Sequence, residues 1–207
     1  VPFGARPPLV LASASPRRLS LLAQIGVVPD LVLPADVDET PQRDELPATL
    51  AQRLADAKAS VVRSDVKITT LGAPPLILAA DTVVALGRRI LPKAMSEREA
   101  RECLTLLSGR RHKVVTAVTL ASPDGTLRRR LVESQVRFKR LAPAEIARYL
   151  KSGEWQGKAG GYAIQGLAAA YIPWISGSYS NVVGLPLAEI RALLDGVSYF
   201  EAIEPSA

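Results

Sequence analysis

The sequence predicts an α/β protein with a mixed, twisted sheet flanked by helices, arranged as one compact unit of two lobes around a cleft. Three observations lead there. Short apolar runs alternate with helix-period segments early in the chain, a long hairpin occupies the middle, and strand-helix segments return towards the end. With 207 residues, of which 48% are hydrophobic and 22% charged, the chain is long enough to bury a real core and too apolar to stay disordered. No internal repeat or low-complexity linker divides it, so residues 1–207 read as a single domain.

The first element lies in residues 9–20, LVLASASPRRLS. Its apolar start suits a buried strand. Ser15 then fits a helix N-cap with Pro16 at the first helical position, Leu19, Leu22 and Ala23 continue one apolar face, and Gly26 ends the helix. A helix start presents unpaired N–H groups and the positive end of a dipole, so Arg17 and Arg18 placed there make a candidate phosphate site. Ordinary capping beside solvated arginines is an equal alternative. Residues 27–33 read as a second strand, interrupted by Pro29 and ended by Pro34. The loop that follows holds Asp36, Asp38, Glu39, Asp44 and Glu45. Any one of these carboxylates is usually just solvated, but each is also a hard oxygen donor of the kind Mg²⁺ prefers.

Pro47 opens a helix with Leu50, Leu54, Ala57 and Val61 on one stripe. Lys58 flanks that stripe and, taken alone, reads as a surface lysine whose stem packs while its head reaches a cleft edge. Residues 76–80 read as a strand covered on both faces, running straight into Asp81. Asp81 stands in LILAADTVVAL. An ionisable group between apolar neighbours needs a partner, a metal or a raised pKa, and functional sites concentrate such arrangements. The alternative is a carboxylate capping a turn between two short strands. A hairpin around Gly87 then delivers Lys93 a few residues beyond Asp81.

Ser96 and Glu99 form a capping box for a helix carrying Ala100, Cys103, Leu104 and Leu107, closed by Gly109. Cys103 is the only cysteine, which excludes an internal disulfide, and its helical spacing makes it a core thiol. The single His112 leaves no histidine cluster for zinc and no conventional triad. Residues 114–120 and 127–138 form two long strands about a turn at Asp124-Gly125. Pro143 opens a further helix with Ile146 and Leu150 inward and Gly153 at its end. From Gln156 the chain becomes rich in glycine, small residues and aromatics. Gln165 lies there in a strand-like run, where an amide with both donor and acceptor can read a base edge. Pro186, Leu187, Ile190, Leu194 and Gly196 mark the last helix.

The net charge of +6 points to a polyanionic partner. Cations gather at Arg110, Arg111 and Lys113, at Arg128, Arg129 and Arg130, and at Arg137, Lys139 and Arg140, with only Phe138 among them. That lack of interleaved aromatics favours a phosphate-attracting or solvated surface and makes nucleic acid an unlikely partner. No apolar stretch approaches a membrane span, and the first residues, VPFGARPP, lack a signal or import pattern, so no membrane and a cytoplasmic location are the expectation.

Six segments in order carry a resemblance: Ser13-Ala14-Ser15-Pro16-Arg17-Arg18, Asp38-Glu39-Thr40, Ala57-Lys58-Ala59, Ala80-Asp81-Thr82-Val83-Val84, the run from Lys158 to Gly166 (KAGGYAIQG), and the run from Gly177 to Leu187 (GSYSNVVGLPL). Together they resemble the Maf family of nucleotide pyrophosphatases from the first strand to the last helix. The resemblance implies a two-lobed fold related to the inosine triphosphate pyrophosphatases, often dimeric, with substrate between the lobes. It implies hydrolysis of a nucleoside triphosphate to the monophosphate and pyrophosphate with a divalent metal, Mg or Mn, in nucleotide pool housekeeping. By the same resemblance Ser13, Arg17, Arg18, Lys58 and Lys93 bind substrate, Glu39 and Asp81 hold the metal, and Asp81 is the catalytic group that orients or deprotonates water. Arg17, Thr82 and Gln165 match the subgroup acting on dTTP and UTP. Lys93 departs from the pattern, being flanked by Pro92 and Ala94 where the family shows glycine and proline. The rival reading is a non-catalytic nucleotide- or RNA-binding regulator of cell division, motivated by the charge. Glu39 together with Asp81 favours the enzyme, since a binder of polyanions gains nothing from carboxylates beside its phosphate site.

Overall fold

A computed structural model describes residues 6–200. The reading of the first five residues, part of the segment without a leader pattern, lies outside that range. The elements run β1 (Leu9–Ala12), α1 (Pro16–Gln24), β2 (Leu31–Val32), α2 (Pro47–Arg63), β3 (Leu76–Leu86), β4 (Arg89–Leu91), β5 (Lys93–Ala94), α3 (Glu97–Leu107), β6 (Arg111–Ala121), β7 (Leu127–Arg137), α4 (Pro143–Lys151), β8 (Lys158–Ala159), β9 (Trp174–Ser176), α5 (Tyr179–Val183) and α6 (Leu187–Asp195). No helix among the described residues is long and apolar enough to cross a membrane.

A mixed sheet of seven strands forms the centre, in the order β2-β1-β3-β6-β7-β9, with β4 also on β3; β5 and β8 make a separate two-stranded sheet. The expected α/β class with a mixed sheet flanked by helices is therefore present. β1 pairs in parallel with both β2 and β3, and the other pairings are antiparallel. β3 changes partner along one edge. Its first half, Leu76 to Ala79, pairs with β1, and its last three residues, Val84 to Leu86, pair with β4. Residues 80–83 thus face an opening in the sheet, while the other edge stays paired with β6 throughout.

The faces follow from the two-residue alternation of a strand. Ile77, Ala79 and Val83 of β3 pack under α2 with Val115 and Ala117 of β6. Leu76, Leu78, Ala80 and Val84 face the larger core, which α1, α3, α4 and α6 close with Leu21, Leu22, Leu104, Leu107, Tyr149 and Leu194. Each such leucine contributes about 1.5–3 kcal/mol when fully removed from water. Cys103 is buried in this core, as its spacing requires.

Several local expectations hold. Gly87 has φ +62° in the two-residue turn between β3 and β4, and Ser96 and Glu99 cap α3 reciprocally. The hairpin of β6 and β7 closes through residues 122–126, a longer loop than the Asp124-Gly125 pair alone suggests, with Gly125 at φ +91°. Others need correction. Ser15 is the N-cap of α1 but its hydroxyl makes no cap hydrogen bond; its own N–H donates to Ser13 Oγ at 3.2 Å. The buried face of α1 is Leu21 and Leu22, while Leu19 and Ala23 face solvent. Asp81 does not end a strand: β3 runs through it for eleven residues.

Candidate active site

The split edge of β3 explains why two adjacent residues meet different parts of the molecule. Asp81 points to the α2 side and Thr82 to the α1 side, and both border one cleft of about 520 Å³. That cleft is lined by the turn after β1, by the start of α1, by Glu39 and Lys58, and by residues 156–165.

On the α2 side, Lys58 is buried rather than on the surface. The inward stripe of α2 runs through Pro47, Ala51, Leu54, Ala55, Lys58 and Val62, and Val61 of the expected stripe is exposed. Lys58 Nζ donates to Asp81 Oδ1 at 2.6 Å and to Glu39 Oε1 at 2.7 Å. The other oxygen of Glu39 accepts from Lys93. Lys93 stands on β5, which β8 pairs antiparallel at Ala159, so the glycine-rich run holds this lysine at the cleft edge. Burial alone would raise the Glu39 carboxyl, but the hydrogen bonds from Lys58 and Lys93 outweigh it and hold the group below its ordinary value.

The loop carrying Glu39 is fastened to α2. Arg53 donates to Glu45 at 2.8 and 2.9 Å and to the carbonyl of Thr40 at 3.0 Å. Glu45 is therefore an anchor, and Asp38 accepts from the Thr40 N–H in a tight turn. Of the acidic loop residues, only Glu39 lines the cleft.

On the α1 side the two arginines differ. Arg18 Nε donates to the Gly184 carbonyl at 2.9 Å, Nη1 to Ser13 Oγ at 3.1 Å and Nη2 to Thr82 Oγ1 at 3.3 Å. Burial pushes its pKa down and Asp81 opposes the shift. An arginine keeps its charge regardless. Arg17 lines the same cleft and makes no hydrogen bond or ion pair to another described residue. Burial likewise lowers its pKa.

Gln165 lines the cleft but sits exposed in a turn, not in a strand. The run before it is tied down by tyrosines. His112 Nε2 and the Tyr162 hydroxyl lie 2.7 Å apart, and the Ala163 N–H donates to the Tyr149 hydroxyl at 3.0 Å. Gly160, at φ +68°, leaves no room for a side chain, since a Cβ there would stand 2.8 Å from Val84 Cγ1. Close packing on β3 is why glycine is required.

The structure thus brings Ser13, Arg17, Arg18, Glu39, Lys58, Asp81, Thr82, Lys93 and Gln165 to one cleft. The sequence reading missed Lys158, a further cation on the same wall, whose pKa is lowered by burial and by Arg17. It also missed Thr116 and Asn181 behind Thr82, for which a β-forming threonine in an apolar strand gives no signal.

Glu39 and Asp81 converge on one ammonium with oxygen donors only, and no cluster of three or more histidine, cysteine or acidic side chains fit for a metal occurs among the described residues. Two carboxylates in a cleft suit a hard divalent ion that takes its remaining ligands from phosphate and water, so the residues present fit Mg²⁺ or Mn²⁺. Chemically, the site sets five cations, Arg17, Arg18, Lys58, Lys93 and Lys158, against two carboxylates, which is what a polyphosphate chain carried with a cation requires.

A family profile described as Maf-like protein matches residues 8–197. A dTTP/UTP pyrophosphatase of Paramagnetospirillum magneticum is 61% identical over 193 residues, covering 92% of this chain and 97% of that one. A dTTP/UTP pyrophosphatase of Rhodospirillum rubrum is 60% identical over 192 residues, covering 93% of this chain and 89% of that one. Among solved structures, the Ham1 protein of Staphylococcus aureus covers 91% of this chain and 98% of its own at 14% identity, with a TM-score of 0.49, an overlap too loose to carry weight.

Proposed function

The chain belongs to the Maf family, and on that premise we propose that it is a nucleoside triphosphate pyrophosphatase acting on dTTP and UTP. The observation that carries the reading is the convergence of Asp81 and Glu39 on Lys58 in a cleft that also holds Arg17, Arg18 and Lys93. A pure polyanion binder has no use for that acidic pair.

Hydrolysis of a phosphoanhydride is mainly a matter of positioning and of neutralising charge as it builds up. Arg17 and Lys93, both on the lining of the cleft, grip the phosphate chain. Arg18 and Ser13, held by their own hydrogen bonds, offer a fixed cationic floor. Lys58 holds both carboxylates at the cleft through its two hydrogen bonds, and Asp81 accepts the proton of the attacking water. Glu39 and Asp81 would hold a divalent ion, which would supply Lewis-acid charge when bound. Arg17, Thr82 and Gln165 select the base, and the products are the monophosphate and pyrophosphate. The whole chain works as one such unit, in the cytoplasm and as a homodimer; the resemblance supports these points, and light scattering tests the last.

The deciding experiment measures pyrophosphate release from UTP, dTTP and other triphosphates with Mg²⁺, with Mn²⁺ and with EDTA. Release from UTP and dTTP that EDTA abolishes is expected. Asp81→Asn should lower turnover at least a hundredfold while substrate still binds. Nucleotide binding without any release would favour the regulator instead.

A further inference from the structure

The run from Gly177 to Leu187 meets the site through two backbone carbonyls, Gly184 accepting from Arg18 and Asn181 from Thr116, and these fix the directions of the hydroxyls between them. Thr116, fully buried on β6, lies opposite Thr82 in register. Its Oγ1 is 3.2 Å from the Asn181 carbonyl and 3.0 Å from Thr82 Oγ1. A carbonyl only accepts, so the single proton of Thr116 goes to Asn181. The contact between the two threonines must then be a bond that Thr82 donates. Arg18 Nη2, which only donates, supplies the bond that Thr82 accepts. The order runs one way, from Arg18 to Thr82 to Thr116 to the backbone of α5.

Asn181 is held in place for this. Its Nδ2 donates to the Val114 carbonyl at 3.2 Å and to Ser134 Oγ at 2.9 Å, so α5 is pinned to β6 and β7 beneath the threonine pair. Gly184, at the end of the same helix, accepts from Arg18 Nε and fixes the other end of the relay. With its proton turned inward and one lone pair taken by Arg18, Thr82 has only a lone pair left for the cleft.

We infer that Thr116 is a positioning residue that sets the polarity of Thr82, so that Thr82 offers the substrate only an acceptor and favours a pyrimidine carrying an imide N–H. Uracil and thymine carry that donor on their pairing edge, where cytosine carries a bare ring nitrogen. The inference rests on the reading that Thr82 takes part in base selection, and it adds the mechanism by which a threonine discriminates. Replacing Thr116 with valine, similar in shape and without a hydroxyl, frees the Thr82 proton to turn into the cleft.

The test compares kcat/KM for UTP and CTP in the wild type, Thr116→Val, Thr116→Ser and Thr82→Val, with thermal unfolding to confirm folding. T116V is expected to lower the preference for UTP over CTP about tenfold, the scale of one reversed hydrogen bond, while T116S keeps it. A folded T116V with unchanged preference, beside a T82V that shifts it, overturns the inference and leaves the reading of Thr82 standing. An unchanged preference in T82V overturns that reading and the inference with it. A shift in T116S as large as in T116V marks a packing effect and also overturns it. If T116V does not fold, Thr116→Ala carries the same expectation and the same refutation.

Discussion

Lys58 and Asp81 are joined at 2.6 Å with less than a tenth of either side chain exposed. Two buried opposite charges are costly to bring out of water, and removing one leaves the other without compensation.

Lys58→Met is therefore expected to destabilise the fold by about 3 kcal/mol in denaturant unfolding. The double variant Lys58→Met with Asp81→Leu should be no less stable than the single one, because the unpaired carboxylate is what costs. Losses that simply add would show that the pair does not act as a pair.

Arg17 and Arg18 should separate in function. Arg18→Ala removes three hydrogen bonds that join β1, β3 and the end of α5, and it is expected to cost about 2 kcal/mol as well as activity. Arg17→Ala should leave stability within about 0.5 kcal/mol and raise KM for UTP. Equal loss of stability in both variants would contradict the division.

His112 should make stability depend on pH above the carboxylate range. Burial pushes its pKa from 6.5 to about 4. Above pH 6.5 neither folded nor unfolded chain binds the proton, so the contribution is complete. As pH falls from 6.5 towards 4 the unfolded chain takes up a proton that the folded one refuses, and stability drops by up to roughly 3 kcal/mol. Glu39, whose pKa is held below 4.5, loses its contribution only at lower pH. Unfolding midpoints between pH 5 and 7 should slope downwards on acidification in the wild type and flatten in His112→Gln; a flat wild-type profile would refute the assignment.

Gly160→Ala should lower stability by about 2–4 kcal/mol and impair UTP binding. The substitution combines a left-handed backbone with a Cβ driven into Val84 on β3. Full stability and an unchanged KM would show that the glycine-rich run is not seated as described.

Much of the plan was legible because it depends on local signals. The strand into helix at Ser15 and Pro16, the turn at Gly87 and the capping box at Ser96 and Glu99 each follow from neighbours in sequence. Asp81 stood out because a charge among apolar residues is costly wherever it lies. What stayed hidden depends on phase or on distance. In α2, Ala51, Ala55 and Ala59 mark the buried face too weakly to fix its rotation, so the periodicity places Lys58 beside the inward stripe rather than on it. Gln165 follows a run with strand-like composition that the glycines break into turns. Thr116 acquires its role only from Asn181, 65 positions away in the chain.

The change of partner along β3 has a bearing on how this protein diversifies. Asp81 is rooted in a strand whose far edge is bonded to β6 from Ile77 to Ala85, whereas Arg17 and Gln165 hang from a helix start and a turn. On the proposed roles, mutation at Arg17 or Gln165 can retune which nucleotide is accepted without disturbing the strand that carries Asp81, whereas Thr82 shares that strand and is bound by its constraints.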